Sequence, residues 1–442
     1  MTTTPARSEQ PEHYDVLGIG FGPANLALAI ALQEENAGLS VSFLEAKPEV
    51  AWQSAMLLDG SDIQNNPIRD LVSLRNPRSR YSFVNYLHEE GRLLEFLNLP
   101  MEFPLRKEYT RYISWVARYF DDVVEYNVAA TDIAIVPGDE GRNVYRVTGS
   151  DGVVRHAHAL VLGPGRSAFV PEPFDRVESP RVFHLTRYLP ALDALREAAE
   201  RGEGQWPPKE VAVIGGSQSA VELTLDLSRR FPDATVTTYV RPYGLRLKDT
   251  SPFSEEGYFP EFTQYYYQAP RHRKKVLDDY MRLTNYSAAD GDVLHELYAL
   301  IYEQKLDGDQ RVFVRGNRQT MAVQDGPDGV RLQVKELNTG ETEDVRADVV
   351  VLATGFRDLG PGPHQERVPP LMEGIADSFV FDEDGYLDIS ADYLLTPMDA
   401  DTPDLYLNGL CESSHGIGDA GSFSLLSLRA GVLLDRLRKR AR

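Results

Sequence analysis

The apolar positions of this chain fall into short runs broken by glycine turns. The run Tyr14-Asp15-Val16-Leu17 feeds Gly18, Gly20 and Gly22 of "GIGFGPANLALAIA". After Pro23, the small and apolar residues from Asn25 through Ala29 and Ile30 to Leu32 take helical spacing. This predicts strand, tight turn and helix. Glycines in such a turn let the backbone approach a pyrophosphate closely, and the free N–H groups of the helix start favour its negative charge. A second apolar run, "VSFLEA", reaches Glu45, where a carboxylate accepts hydrogen bonds from an adenosine ribose. Gly18, Gly20, Gly22, Pro23 and Glu45 are therefore candidate contacts of a dinucleotide.

The device recurs. "KEVAVIGGSQSAVELTLDL" predicts a strand over Val211 to Ile214, a turn at Gly215 and Gly216, and a helix from about Gln218 and Ser219. The next strand, "ATVTTYV", ends at Arg241 rather than at an acid, and a cation there selects a ribose 2′-phosphate. Arg241 also fits an ordinary surface arginine. "QWPPK" marks the loop entering this second site, and a third strand and turn, "ADVVVLATGF" with Thr354, leads the chain back towards the first. An acid after one turn and an arginine after the other point to FAD plus NADPH, hence a hydride-fed flavoenzyme. These turns do not decide what the reduced flavin does, because reductases, oxidases and monooxygenases share them.

Composition narrows the field. A length of 442 residues suggests two to three domains, and 42% hydrophobic residues are enough for real cores. The net charge of -21 argues against nucleic acid or an anionic membrane as partner. The basic run "RLRKRAR" at 436–442 reads as a solvated helix end. The N-terminus has no apolar core of a secretory signal and no stretch is long enough for a membrane span, so a cytoplasmic enzyme is expected. Cys411 is the only cysteine, which rules out an internal disulfide, a Cys-rich zinc site and a redox dithiol; it fits a small core residue. "FDEDGYLDI" misses the calcium-loop spacing and reads as a hairpin turn, so no metal is expected.

Three further blocks carry a resemblance that runs nearly end to end. They are "MLLDGSDIQNNPIRDLVSLRNPRSRYSFVNYLHEEGRL", "TSPFSEEGYFPEF" with "RLTNYSAADGDVLHELYALIYEQKLDG", and "NGLCESSHGIGDAGSFSLLSLRAG". On these the chain resembles the flavin-dependent N-hydroxylating monooxygenases of siderophore biosynthesis, the L-ornithine and L-lysine N-monooxygenases. The resemblance implies non-covalent FAD, reduction by NADPH, retained NADP⁺, and a flavin hydroperoxide from O₂ that converts a primary amine into a hydroxylamine. The product would feed a siderophore or an N–N bonded natural product. It further implies that Trp52 and Gln64 lie against the flavin, Gln64 beside the hydroperoxide; that Gln218 and Arg241 serve NADPH; and that Asn285 contacts substrate. Trp52 also fits a core position, and Asn285 a helix or turn cap. Family members are often tetramers or dimers.

Departures from the family pattern line the expected substrate pocket. Arg69 in "IRDLV" replaces the lysine that grips the amino acid's carboxylate, a task arginine can perform bidentately. Glu255 in "SPFSEE" replaces an asparagine; it could hold an α-ammonium, hold the far ammonium of a diamine, or pair with Arg69. "QNNP" stands for the usual "QISF", and the block after His415 and Gly416 is longer by about two residues. The expected substrate is thus an ornithine- or lysine-type amino acid, with an aliphatic diamine or another amino acid as alternative. A non-catalytic flavin-binding redox sensor is the rival from another class. The Baeyer-Villiger signature F-x-G-x-x-x-H-x-x-x-W is missing near "FHLTRY". The expected fold is α/β, with two Rossmann-like three-layer dinucleotide-binding domains: FAD over 1–165 and 351–442, NADPH over 166–250 and 306–350. A small, mainly helical substrate segment at 251–305 completes it.

Overall fold

In the computed structural model, residues 13–138, 141–419 and 421–440 are described. The N-terminal stretch read as lacking a secretory core, apart from His13, and the last two residues of the basic run lie outside the described residues.

Strands β1 (His13–Ile19), β2 (Val41–Glu45), β3 (Val124–Tyr126), β4 (Ala130–Pro137), β5 (Asn143–Gly149) and β6 (Val154–Leu162) form the first sheet, in the order β3-β2-β1-β6-β5-β4. Its β3-β2-β1-β6 half is parallel, whereas β4 and β5 are antiparallel additions. Strands β7 (Val182–His184), β8 (Glu210–Ile214), β9 (Thr235–Tyr239) and β10 (Val312–Arg315) belong to a second sheet. A third, antiparallel sheet follows from β11 (Arg318–Gly326), β12 (Gly329–Glu336) and β13 (Thr342–Ala347). β14 (Val349–Leu352) then enters the second sheet, all parallel in the order β10-β9-β8-β14-β7, and β15 (Asp404–Leu407) returns to lie parallel to β6.

The two parallel arrangements match the two predicted glycine-turn units. The antiparallel pieces lie beyond the predicted elements. In β12, buried Val330, Leu332 and Val334 alternate with more exposed neighbours, the pattern of a sheet with one wet face.

The helix Pro23–Glu34 has proline in its first turn and buries every residue from Asn25 to Leu32, because it is covered by the sheet and by the terminal helix Leu426–Arg440. Four helices, Pro252–Glu255, Pro260–Gln268, Arg271–Asn285 and Gly291–Asp307, intervene between β9 and β10. Ala289 and Leu297 of this segment pack on Val221 and Leu225 of the helix Gln218–Arg230. Tyr258 and Met281 meet Ile417 of the C-terminal block.

A buried polar chain joins the first turn to that block. Asn25 donates to the carbonyl of Gly20 at 2.7 Å, Asn408 donates to Asn25 at 2.9 Å, and Arg429 donates to Asn408 at 2.8 Å and to Asp419 at 2.8 Å. Cys411 sits beside it, fully buried, with burial pushing its thiol well up, as befits a core residue. The Asp382–Tyr386 stretch is a hairpin turn, closed by the Asp382 N–H on the Tyr386 carbonyl at 2.8 Å. Of the basic run, Arg436, Arg438 and Arg440 end the last helix paired with Asp392, Glu35 and Asp404, so these cations are not merely solvated. Among the described residues no helix is long and apolar enough to cross a membrane.

Candidate active site

The two turns are built as their glycines require. Gly20 has φ +81, and a Cβ there would lie 2.7 Å from the carbonyl oxygen of Gly163. Gly215 has φ +146, and its Cβ would lie 2.2 Å from the carbonyl oxygen of Ala353. Gly22 faces open space at the start of the helix that Pro23 begins. Gly18 differs from its expected place: it lies inside β1, where its bare Cα accepts the ring of Phe43 from β2. Its role is strand packing under the turn. Glu45 ends β2 and accepts the Phe21 N–H at 2.8 Å and the Lys47 N–H at 3.0 Å, one on each carboxylate oxygen. Each oxygen retains a second accepting lone pair. Gly20 and Glu45 line a cavity of about 420 Å³.

A larger cavity of about 2090 Å³ brings together residues scattered through the chain: Trp52, Gln64, Arg69, Gly215, Gln218, Ser219, Arg241, Glu255, Asn285 and Thr354 all line it. Lys47, Gly165 and Arg166 line both cavities. Trp52 is half-buried and stands edge-on to Phe423 (5.0 Å between ring centres) and Tyr109 (6.3 Å). Gln64 adopts a left-handed backbone, φ +53, and its Nε2 is buried with no hydrogen-bond partner. Burying an amide nitrogen unpaired costs about 1–3 kcal/mol, so this atom is set for something the protein itself does not supply. Together with the two glycine cradles, it fits a flavin dinucleotide and a second dinucleotide.

On the substrate side, Arg69 Nη1 donates to Ser424 Oγ at 3.2 Å and approaches Glu255 Oε2 at 3.4 Å. Of the three partners open to Glu255, Arg69 is the one it meets here. Asn285 is the last residue of its helix and faces the same cavity. On the nucleotide side, Arg241 is exposed at the cavity wall just beyond β9. Gln218 has both ends of its amide engaged by protein: Nε2 donates to Glu222 at 3.0 Å and Oε1 accepts the Asp290 N–H at 2.8 Å. Thr354 spends its hydroxyl on the Phe169 carbonyl at 2.5 Å.

Several groups that pattern reading does not single out also stand here. Arg106, 6% exposed, donates from Nη2 to both Glu222 oxygens at 2.9 Å. Burial pushes the Asp62 carboxyl up to about 6, against the Gln64 N–H that it accepts at 2.9 Å. Glu412, whose carboxyl burial raises to about 8, accepts the Tyr286 hydroxyl at 2.5 Å and the Arg166 guanidinium at 3.4 Å. Burial lowers the Lys274 ammonium to about 8, and it donates to the Ser414 carbonyl at 3.0 Å. Tyr286, Asp62 and Glu412 stood beside residues already singled out, one after Asn285, two before Gln64 and one after Cys411. Arg106 and Glu222 are 116 positions apart and meet only through the fold.

Residues 12–358 match the family of L-lysine 6-monooxygenase/L-ornithine 5-monooxygenase. The chain belongs to that family. It is 38% identical over 411 residues to an L-ornithine N(5)-monooxygenase of Burkholderia cepacia, covering 91% of this chain and 90% of that protein. Among solved structures it is similar to the ornithine hydroxylase PvdA of Pseudomonas aeruginosa (TM-score 0.87, 32% identity, 97% of this chain and 100% of that one). The Kutzneria ornithine N-hydroxylase KtzI, solved with reduced FAD, NADP⁺ and L-ornithine, gives TM-score 0.87 at 30% identity, covering 97% and 100%. The cadaverine monooxygenase DfoA of Erwinia amylovora, solved with FAD, gives 0.80 at 25%, covering 96% and 94%. As a member of this N-hydroxylating monooxygenase family the chain is a flavoenzyme using FAD and NADPH.

Proposed function

We propose that this enzyme N-hydroxylates the side-chain amine of an ornithine- or lysine-type amino acid. The observation that carries the reading is the meeting of Arg69 and Glu255 in the cavity that also holds the unpartnered Gln64 amide. An amino acid's α-carbon end carries one carboxylate and one ammonium, and an arginine beside a glutamate is its charge complement. Carboxylate on Arg69 and ammonium on Glu255 would replace one 3.4 Å pair with two. A diamine would gain Glu255 but set its ammonium beside a guanidinium, so the cation at Arg69 disfavours it.

Under this reading Trp52 and Gln64 would hold the flavin, with Gly20, Gly22, Pro23 and Glu45 serving its dinucleotide and Gly18 packing the strand beneath the turn. Gly215, Ser219 and Arg241 would serve NADPH, Gln218 and Thr354 would shape its wall through the bonds they make to protein, and Asn285 would contact substrate. Bound here and reduced by NADPH, the flavin would supply the O₂ activation that N-hydroxylation of the amine needs. The protein's part is to orient the amine, exclude water and receive it neutral. A free lysine-type amine titrates near about 10.4, and removal from water lowers that value. Trp52 and Phe423, backed by the buried Tyr109, form an apolar wall that helps keep water out.

The sheet memberships support an FAD unit over residues up to 165, an NADPH unit over 166–250 and from 306, and a substrate segment at 251–305, but they move the return to the FAD unit from 351 to beyond Leu352, because β14 carries Val351 and Leu352 into the second sheet. The large exposed apolar side chains Tyr243, Phe253, Tyr280, Tyr298 and Leu306 on and beside that segment favour a homo-oligomer. A lone buried cysteine suits the cytoplasm. The deciding experiment offers purified FAD-loaded enzyme ornithine, lysine, putrescine and cadaverine, and measures hydroxylamine, NADPH oxidation and H₂O₂ together. Hydroxylamine matching NADPH consumed for an amino acid supports the reading; H₂O₂ alone with every amine overturns it.

A further inference from the structure

Gln64 holds a conformation that its own chemistry resists. A left-handed backbone is disfavoured for a residue that carries a Cβ, and its buried amide nitrogen has no protein partner. What holds it is two residues upstream: Asp62 Oδ1 accepts the Gln64 N–H at 2.9 Å, the local hydrogen bond that makes aspartate a turn former. Asp62 is anchored in turn. Its carbonyl accepts Arg106 Nη2 at 3.0 Å, and the same guanidinium, through Nη1, grips the carbonyl of Met56 at 2.9 Å. Arg106 leads through Glu222 to Gln218, so a buried polar chain runs from the Gln64 loop to the second glycine turn.

We propose that Asp62 is a positioning residue that fixes Gln64 in its left-handed, cavity-facing conformation through the acceptor oxygen of its side chain. The inference rests on the placement of Gln64 against the flavin. It concerns the acceptor and not the charge, which sets asparagine and alanine apart as replacements.

The test compares Asp62→Ala and Asp62→Asn in FAD affinity, by fluorescence titration of the apoenzyme, and in the share of NADPH that ends as H₂O₂. The titration needs no amine, so the proposal is testable even where the substrate reading fails. Asp62→Ala weakens FAD about five-fold, the worth of one net hydrogen bond, and raises the H₂O₂ share. Asp62→Asn stays within about two-fold of the parent, and in a Gln64→Ala background Asp62→Ala has no further effect. If Asp62→Ala fails to fold, adding Gln64→Gly, which takes φ +53 freely, restores folding. Parent-like behaviour of Asp62→Ala, equal damage from Asp62→Asn, an undiminished effect in the Gln64→Ala background, or no rescue by glycine each overturns the proposal.

Discussion

Arg69 and Glu255 offer the most discriminating perturbation. At 3.4 Å, two unit charges at an effective dielectric constant of ~20 attract by ~5 kcal/mol. The side chains are 23% and 30% exposed, so water screens the pair and its net worth falls to ~1 kcal/mol or less. A bound zwitterion opens that pair and makes two charge-assisted contacts worth ~1.5–3 kcal/mol each. Glu255→Gln then loses one such contact and recovers the small cost of opening the pair. The net is ~1–2.5 kcal/mol, or a KM for the amino acid raised about 5- to 70-fold. Arg69→Met raises the same KM by a similar factor, but for putrescine or cadaverine it lowers KM, because Glu255 is released and a repelling cation is gone. NADPH oxidation and FAD content stay as in the parent. The assay is hydroxylamine formation across amine concentrations for both variants and both substrate classes. An unchanged amino-acid KM in Arg69→Met, or diamine binding that worsens with the amino acid's, refutes the zwitterion grip.

Three further outcomes follow from the same geometry. Arg241→Ala raises the KM for NADPH by about 10- to 100-fold while leaving NADH unchanged, since only the 2′-phosphate loses its cation; equal loss with both nucleotides would remove Arg241 from that role. Gly215→Ala forces a side chain to 2.2 Å from a backbone oxygen at φ +146, so NADPH affinity and melting temperature both fall while FAD content holds, as titration and thermal denaturation would show. Glu412 has a folded value near 8, above its ordinary 4.5, so its stabilising contribution is full at low pH and is lost as pH rises through about 8. Glu412→Gln therefore gains melting temperature over the parent progressively between pH 5 and 8.5, and a difference that does not vary with pH would contradict burial outweighing the Arg166 and Tyr286 contacts of this acid.

Much of this protein could be read from order along the chain. Strand, glycine turn and helix are local patterns, so both nucleotide units, the acid at Glu45 and the cation at Arg241 were legible from spacing alone. Backbone sterics fix them: Gly20 and Gly215 occupy left-handed positions that few other residues tolerate. The departures at Arg69 and Glu255 were equally visible as residue types. What they do to each other was not, because their pairing depends on a helical segment folding back over a loop 186 positions earlier. Gly18 shows the same limit on a smaller scale: its spacing suits a turn, and only the approach of Phe43 from the next strand reveals a packing role. The Arg106–Glu222 pair, the Glu412–Tyr286–Arg166 cluster and the unpartnered amide of Gln64 were settled by burial, which is a property of tertiary packing and carries no local signature. Sequence thus determined which cofactors the turns suit, because that is decided within a few residues of backbone. Tertiary structure alone decided which charges are paired and which polar atom is left open, because both depend on what the rest of the chain removes from water.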